Sequence, residues 1–481
     1  MIDTELELPQ GWVVCKLEDV AMSINSGFAS GKHNKSEKGI PHIRPMNIDI
    51  SGNIDLSVVK YVEDNFKDKL QKNDVLFNNT NSPKLLGKTT LIKKNTLWGY
   101  SNHMTRIRFD VSKVEPSWFS IFLHKLFLDG YYPQIAKNHV NQSSVNSTDL
   151  ATKIPIIVAP LNEQKRIVSK IEELFSRIDS AKQSLEHTKL QLEQYRASLL
   201  KSAFEGKLTE KWREETNPII NERELQSWKD QRVEQYDEGC KLSKNTNKPK
   251  LSEFKILMSK DIPESWISTT IEGVASFVID CPHSTPKFVV NGQYCIDTTC
   301  IKNSKINWNK IRSVSPKSFD ERTLRMPLLE NDIIFSREGV VGTSVLVPKD
   351  IDLCLGQRVM MFRFPKFFNA KFAELFLQSI IFKQQYLPLI AGSTVPHLNV
   401  GDVRKFNVFI PTIQEQEQII SQIEQSFSLI ENTSQIVNST LQNLQTMKMS
   451  VLKQAFEGKL VPQDPNDEPA SVLLEKIKLK N

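Results

Sequence analysis

A long internal repeat constrains this chain of 481 residues more than any other feature of its sequence. An EQ dipeptide at 163–164 and another at 415–416 each open a helical pattern that ends in AFEGKL. The offset is 252 residues without a gap, and 21 of the 46 aligned positions are identical. Because solenoid repeats have periods of only ~20–50 residues, the chain is predicted to contain one large unit twice.

Matching segments upstream of each helix show what the repeated unit contains. LPQGW at 8–12 corresponds to IPESW at 262–266, and NDVLF at 73–77 corresponds to NDIIF at 331–335. Each unit is therefore predicted to be a mixed α/β globular block followed by a long helix. The predicted boundaries are 1–160 for the first block, 161–208 for the first helix, 209–261 for an exposed charged linker, 262–411 for the second block, 412–460 for the second helix and 461–481 for a tail that completes the repeat.

The long helices carry apolar residues at heptad spacing, which predicts a coiled coil in which each copy faces the other. A helix of ~45 residues at ~1.5 Å per residue spans nearly 70 Å and would form a rigid spacer. The alternative, two helices that each pack on their own block, stays open because heptads also occur in helical bundles. The predicted seam consists of Ile171, Leu174, Ile178, Leu185, Leu192 and Leu199 in the first helix and Ile423, Ile430, Val437, Leu444 and Val451 in the second.

The expected fold class is therefore α+β. Two globular α/β blocks are separated by two long antiparallel coiled-coil helices, and an internal pseudo-two-fold repeat relates the halves. Short β-type runs at 75–77, 333–335 and 359–364 and amphipathic helices at 117–128 and 370–382 support the mixed character of the blocks.

Composition excludes several classes of protein. With 39% hydrophobic and 25% charged residues the chain is an ordinary globular protein, and it has no apolar run near the ~18–20 residues of a membrane helix. Its acidic start does not resemble a signal peptide, and six cysteines are too few for a disulfide scaffold, so a cytoplasmic location is expected. The net charge of +6 divides into +3, +2, +4 and −3 over 1–160, 161–261, 262–411 and 412–481, an excess that permits nucleic acid without requiring it.

No catalytic motif is present in the sequence. It lacks a G-x-x-x-x-G-K-[ST] phosphate loop, a glycine-rich dinucleotide or methyl-donor fingerprint, an Asn/Asp-Pro-Pro-aromatic tetrapeptide, H-E-x-x-H and C-x-x-C. The best metal candidate is Cys281, His283, Cys295 and Cys300, whose spacing fits no common zinc pattern. Isolated thiols are the favoured interpretation, so we predict no catalytic residue and no metal site.

These features resemble the specificity subunits of type I restriction-modification systems. The resemblance covers essentially the whole chain and is sharpest at the PxxW segments, the helix starts NEQKRIVSKIEELFSRID and QEQEQIISQIEQSFSLIE, the AFEGKL ends and the closing LVPQDPNDEPASVLLEKI. In the second block, 331–335 with Arg337 resembles the family's GDILF-R-G hairpin, and 394–399 resembles its S-T-x-P-x-L-N stretch. The first block departs at both places, with Asn78-Asn79 in the hairpin and no proline in 140–146.

The resemblance implies that each block is a target recognition domain that reads one half of a bipartite, asymmetric site in double-stranded DNA. The helices would fix the spacing of the halves and dock two modification (methyltransferase) subunits, which ATP-dependent restriction subunits join. The chain would direct methylation or cleavage without binding a cofactor. S-adenosylmethionine, ATP and Mg would belong to the partner subunits.

Candidate DNA contacts are polar residues in loops beside apolar strands. Forked donors and amides read base edges, while lysines position the phosphate backbone. Arg337 is the strongest candidate, because arginine–guanine contacts are the commonest specific pair. The others are Gln357, Arg358, Thr394, His397 and Asn399 in the second block, and Arg44, Asn78, Asn79, Lys84, Lys88, Asn141 and Gln142 in the first.

Two alternatives remain open at this stage. The chain could be a self-contained DNA methyltransferase or nuclease of unfamiliar motif, although the missing methyl-donor fingerprint weighs against it. It could also be a coiled-coil adaptor without DNA binding, which would show no salt-dependent DNA affinity.

Overall fold

The computed structural model describes residues 8–30, 33–34, 38–63, 68–302, 304–390 and 395–479. The described residues form two compact units. The first unit combines residues from 1–185 and 439–481, and the second unit is continuous over 186–438. Each unit therefore contains one globular block, one part of each long helix and the segment that follows an AFEGKL sequence.

The helices, in chain order, are α1 (Pro116–Leu128), α2 (Tyr132–Ile135), α3 (Ser147–Thr152), α4 (Leu161–Phe204), α5 (Glu210–Thr216), α6 (Glu222–Leu242), α7 (Ile271–Val274), α8 (Pro316–Thr323), α9 (Ala370–Gln378), α10 (Ile380–Ile390), α11 (Val400–Lys405), α12 (Ile413–Phe456) and α13 (Ala470–Lys478). Within the described residues, none of these helices is long and apolar enough to cross a membrane.

The strands of the first unit are β1 (Val13–Lys16), β2 (Ala21–Ser26), β3 (Ile40–Ile43), β4 (Lys60–Val62), β5 (Val75–Asn78), β6 (Thr80–Asn81), β7 (Thr89–Leu91), β8 (Gly99–Tyr100), β9 (Met104–Phe109), β10 (Lys137–Asn138), β11 (Ser143–Ser144) and β12 (Pro155–Val158). Those of the second unit are β13 (Ile267–Thr270), β14 (Phe277–Asp280), β15 (Phe288–Val289), β16 (Gln293–Ile296), β17 (Ile301–Lys302), β18 (Lys305–Ile306), β19 (Arg312–Val314), β20 (Ile333–Ser336), β21 (Ser344–Leu346), β22 (Leu353–Leu355), β23 (Val359–Arg363) and β24 (Asn407–Ile410).

The two long helices, α4 and α12, pack antiparallel in each unit. In the first unit the early part of α4 meets the end of α12, where Lys448 Nζ lies 2.6 Å from Asp179 Oδ1. In the second unit Lys189 Nζ donates to Asn438 Oδ1 at 3.3 Å, and Arg196 stacks over the Phe427 ring at 3.7 Å. The eleven predicted seam residues are all buried or half-buried. The predicted fold class, two α/β regions with two long helices packed together, is confirmed.

The same four-stranded antiparallel sheet forms the centre of both globular blocks. Its strand order is β2-β9-β5-β7 in the first unit and β14-β23-β20-β21 in the second. Aromatic residues of α1 close one face of the first sheet, where Phe109 stacks on Phe119 at 4.6 Å. A smaller sheet, β4-β3-β8 or β15-β19-β16-β22, accompanies each large sheet, and β3–β8 and β16–β22 are its parallel pairs.

An ion pair with a buried carboxylate recurs at the same position of both large sheets. Arg108 donates from Nε and Nη2 to the two carboxylate oxygens of Asp74, at 2.7 and 2.8 Å. Arg363 does the same with Asp332, at 2.8 and 2.7 Å. Each carboxylate also accepts from a backbone N–H three residues earlier, so the pair fixes the turn that precedes β5 and β20. The conserved NDxxF spacing in the two blocks is explained by this turn.

A second repeated contact ties each globular block to its long helix. The indole Nε1 of Trp12 donates to Glu163 Oε2 at 2.9 Å, and that of Trp266 donates to Glu415 Oε2 at 2.9 Å. The adjacent Gln164 accepts from Glu115 N before α1 and donates to Ala159 O before α4. Likewise Gln416 accepts from Asn369 N and donates to Phe367 O, both before α9. The PxxW sequence therefore provides the donor, and the EQ sequence the acceptor, of one interaction.

The AFEGKL segments close the units. Gly206 has φ +76° and its Cα faces the Pro263 ring, while Gly458 has φ +68° and faces the Pro9 ring. A Cβ at either glycine would lie 2.3–2.4 Å from a proline carbon, so only glycine fits. Beyond Gly458 the tail pairs with the first unit, where Ala470 N donates to Gly11 O at 2.8 Å and Arg166 bonds Asp467 at 2.7 Å.

The structure differs from the prediction of an exposed linker over 209–261. This segment contains α5 and α6, and Trp228 of α6 is buried with its ring stacked on Phe367 at 4.8 Å. Arg232 is also buried and donates to the carbonyls of Ala275, Ser252 and Glu272, and burial lowers its pKa to about 10. Few apolar residues mark this helix, which explains the wrong expectation. The predicted helix at 370–382 is in fact two helices, α9 and α10, which meet at Ser379.

Replacing Asp332 with alanine should destabilise the second unit by about 3–5 kcal/mol, because Arg363 would remain buried without its carboxylate. Hydrogen exchange of the β20 amides in denaturant measures this loss, and β5 in the first unit is an internal reference. The control is Asp320→Ala, whose carboxylate is exposed beside Lys244 and should contribute less than about 1 kcal/mol. Equal effects of the two substitutions would contradict the role given to the buried pair.

Candidate nucleic-acid interface

The candidate residues of the second unit meet at one end of its large sheet. Arg337 follows β20, and Arg358 precedes β23. Because these strands are antiparallel neighbours, with Ser336 opposite Val359, the two arginines are brought together. The Arg337 N–H donates to the Arg358 carbonyl at 3.0 Å. Asp280, the last residue of β14, lies at the same end of the sheet.

Arg337 is oriented by a carboxylate. Its Nε and Nη2 donate to Asp280 Oδ1 and Oδ2 at 2.8 and 3.2 Å, and only 11% of its side chain is exposed. His283 Nε2 lies 3.4 Å from the same carboxylate. The guanidinium is therefore held in one orientation at the edge of the cluster rather than extended into solvent.

Arg358 and His397 provide the more accessible groups. Arg358 has a left-handed backbone with φ +68°, and its half-exposed side chain pairs with Glu338 at 3.2 Å. The loop before α11 crosses this site, since Glu338 bridges to His397 and Leu398 N donates to Arg337 O at 2.7 Å. His397 is exposed.

The remaining candidates of this unit lie around that cluster. Gln357 donates from Nε2 to His283 O at 3.4 Å. Asn399 is exposed and donates to Asp402 at 3.1 Å, at the start of α11. Thr394 lies outside the described residues. The structure therefore brings Arg337, Gln357, Arg358 and His397 together, with Asn399 two residues beyond His397.

Three candidates of the first unit have internal structural roles. Asn78 is fully buried and donates to Leu85 O at 3.0 Å. Asn79 is buried and donates to Asn102 O at 3.1 Å and to Thr105 Oγ1 at 2.9 Å. Lys88 is buried as well, and its Nζ donates to Pro45 O at 2.8 Å and to Ile48 O. Burial lowers the pKa of the Lys88 ammonium.

The other four candidates lie at or near the surface. Arg44 is half-buried beside Met46, and Lys84 is exposed in the short turn Pro83–Leu85. Asn141 and Gln142 are exposed at the tip of the β10–β11 hairpin. These residues are spread over several loops instead of forming one cluster.

That hairpin nevertheless has the position of the His397 loop in the second unit. β11 pairs with β6, the segment directly after Asn79, where Thr80 lies opposite Ser144. In the second unit Glu338, directly after Arg337, lies opposite His397. Both units therefore bring a late loop of the block against the end of the same central strand, although the first block lacks the proline.

Sequence reasoning missed the acidic side chains of this site. Asp280 and Glu338 hold Arg337 and Arg358, yet carboxylates are poor candidates for a surface that would bind phosphates. The position of Asp280 at the end of the apolar run 277–279 is a weak signal that could have located it. Its pairing with an arginine 57 residues away has no local signature.

The cysteine candidates do not form a metal site in the residues that the structure describes. No group of three or more His, Cys, Asp or Glu side chains there is close enough to hold a metal ion. Cys295 lies opposite Cys354 in the parallel β16–β22 pair instead of facing the other candidates. Burial raises the pKa of the Cys281 and Cys300 thiols, as expected for unreactive core cysteines.

Comparison with known proteins agrees with this geometry. The sequence model of the family described as "Type I restriction modification DNA specificity domain" matches residues 9–190 and again 263–441. The specificity subunit of the type I restriction enzyme EcoBI from Escherichia coli is 25% identical, over 98% of this chain and 93% of that protein. A putative specificity subunit, MjaX, from Methanocaldococcus jannaschii is 23% identical, over 94% of this chain and 95% of that protein.

Solved structures show the same fold. A chain from a study of assembly and conformational transition of the type I R-M system superposes with a TM-score of 0.64 at 16% identity, covering 94% of this chain and 99% of that one. The HsdS subunit of Thermoanaerobacter tengcongensis superposes with a TM-score of 0.55 at 16% identity, covering 95% of this chain and 100% of that one.

Two α/β blocks alternating with two packed helices thus define a non-catalytic subunit of a larger enzyme. The chain belongs to the type I restriction-modification specificity subunits, with the specificity domain present twice. It is the DNA specificity subunit of such a system. The predictions of family, function and non-catalytic role are confirmed.

Substituting the two lysines of one loop region tests the burial described above. Lys88→Met should destabilise the first unit by about 1–3 kcal/mol, since two buried carbonyls lose their donor. Lys84→Met, at an exposed position four residues away, should change stability by no more than about 0.5 kcal/mol. Thermal unfolding of both variants against the unsubstituted chain provides the comparison, and a larger loss for Lys84→Met would contradict these assignments.

Proposed function

We propose that the chain reads a split, asymmetric sequence in double-stranded DNA, with each globular block contacting one half. The repeated geometry carries this proposal, because each unit places a polar loop pair at the same end of the same sheet. Arg337, Arg358, Gln357 and His397 provide the donors and acceptors that distinguish base edges in the major groove. Arg358 is the group most free to reach a base, while Arg337 is positioned by Asp280.

The proposed domain boundaries follow the repeat. Residues 1–160 and 262–411 are the target recognition domains, and 161–208 and 412–460 are the spacer helices. Residues 209–261 connect the repeats, and 461–481 complete the second. The spacing of the two half-sites is then set by the length of the paired helices.

The partner subunits proposed here are two modification subunits and the restriction subunits that join them. Exposed apolar side chains on the long helices, Leu190, Leu429 and Ile436, support a docking surface of this kind. S-adenosylmethionine would serve the modification subunits, and ATP with Mg the restriction subunits. The free state of all six cysteines fits a reducing cytoplasm.

Methylome mapping tests the whole proposal. When the chain is expressed with its modification partner, genomic DNA should acquire adenine methylation at one split motif that is absent without the gene. Replacing residues 8–160 with the corresponding block of a relative should change one half of that motif and leave the other half and the gap intact. An unchanged methylation map, or a change in both halves, would overturn the proposal.

Arg358→Ala tests the interface itself. It should relax the base preference at one position of a single half-motif and weaken binding of the assembled complex by about 1–3 kcal/mol. Lys349→Ala is the matched control, since Lys349 is exposed in the loop after β21, at the opposite end of the same sheet. Competition binding with single-base variants of the motif distinguishes them, and equal losses for both variants would place the interface elsewhere.

A further inference from the structure

The positive charge of the second block is concentrated in one short stretch. Residues 262–411 carry 17 basic and 13 acidic side chains. Within them, residues 281–314 contain five basic side chains and one acidic one, which equals the net charge of +4 of the whole block. The single acid, Asp297, is mostly buried and paired with Arg312 at 2.5 Å. The remaining charges in this stretch are therefore lysines: Lys287, Lys302, Lys305 and Lys310.

An exposed aromatic pair lies in the same stretch. Tyr294 of β16 and Trp308, the first residue of the short turn Trp308–Lys310, have ring centroids 5.9 Å apart at an interplanar angle of 66°. Each side chain is 45% exposed. Aromatic rings normally bury most of their surface, so two adjacent exposed rings are costly unless a ligand covers them.

The lysines lie close to Trp308 along the chain. Lys310 belongs to the same turn as Trp308, and Lys302 pairs with Lys305 in the β17–β18 hairpin that leads into that turn. Lys305 lies 3.9 Å from Glu431, whereas Lys302 and Lys310 form no ion pair within the part of the chain that the structure describes. Exposed aromatic rings near unpaired cations are the combination that binds nucleic-acid bases and their phosphates.

A single short turn connects this surface to the Arg337 cluster. Thr298 Oγ1, at the start of the turn Thr298–Cys300, lies 2.6 Å from Ser336 Oγ, directly before Arg337. At its other end Asn307 N donates to Cys300 O at 2.7 Å, directly before Trp308. The two surfaces are therefore neighbours in one unit and can contact the same DNA.

The first unit has no counterpart of Tyr294. In the small sheets His42 pairs with Gly99 and Lys60, as Cys295 pairs with Cys354 and Arg312. The residue before His42 is Pro41, which stands where the second unit has Tyr294. The aromatic surface is consequently a property of the second unit and not of the repeated fold.

We propose that the ring of Trp308 stacks on a base of the bound DNA beside the half-site of the second unit, with Tyr294 against the edge of that base, while Lys302 and Lys310 bind the neighbouring phosphates. The proposal rests on the DNA-reading function proposed above. A base can offer its face to a protein ring only where the stack of the duplex is interrupted. Methylation of adenine by a partner subunit interrupts it, because that reaction extrudes the target base and so uncovers the faces of the bases beside it.

The salt dependence of DNA binding distinguishes the contribution of aromatic stacking from that of charged contacts. For the assembled complex and a duplex that carries its motif, Trp308→Leu should weaken binding roughly 5- to 100-fold without changing the salt dependence. Trp308→Phe, which keeps a ring, should bind nearly as well as the unsubstituted chain. Lys310→Ala should instead reduce the slope of log K against log salt by about 1.

Tryptophan fluorescence provides a second measurement that does not depend on Trp308→Leu folding. DNA should quench part of the emission of the unsubstituted complex, and Trp308→Phe should lose that part. Equal quenching in the unsubstituted and the Trp308→Phe complexes would overturn the proposal of an aromatic surface. Unweakened binding by Trp308→Leu would overturn it as well. If the unsubstituted complex shows no split methylation motif, the proposed function fails; a normal motif with unweakened Trp308→Leu binding rejects only this surface.

Discussion

The buried hydrogen bond between an indole and a glutamate at the start of each long helix is the contact on which both units depend. Trp12 and Trp266 directly precede the first strand of each block, and Glu163 and Glu415 lie in the first turn of α4 and α12. A carboxylate in that position is stabilised by the helix dipole, yet burial raises the pKa of Glu163. The indole donor offsets this cost, and Glu415 gains Thr209 and Arg213 as further donors. Block and helix are thereby held at a fixed angle twice in one chain.

The sequence correctly predicted those features that produce a local periodic pattern of residues. A gapless repeat and apolar residues at heptad spacing locate the long helices, because helical contacts recur every three or four residues. Helix α6 was not predicted, because its buried residues are only Trp228, Arg232 and Gly239 among many charged ones. Its burial depends on carbonyls of the loops at 252 and 272–275, which no pattern within the helix records.

The candidate interface, too, could be predicted only where local sequence patterns mark it. In both blocks the structure brings the end of the central strand and a late loop together, and in the second block Arg337, Arg358 and His397 meet there. Polarity alone could not separate Lys84 from Lys88, since the residue type gives the charge and the surrounding loops decide the burial. The ammonium of Lys88 donates to the carbonyls of Pro45 and Ile48, which are 43 and 40 residues away in the sequence. Contacts of that sequence separation leave no trace in a single sequence.

The composition of the first unit from two distant segments has a consequence for synthesis on the ribosome. Trp118 and Phe122 of α1 pack against Phe456, with ring centroids 4.6 and 5.0 Å apart. That phenylalanine is translated more than 300 residues later, on the order of tens of seconds at ~5–20 residues per second. The second unit, continuous in sequence, has all its residues before then. The first block is thus translated before the second but completed after it. Its aromatic surface must stay free of aggregation until α12 has been translated.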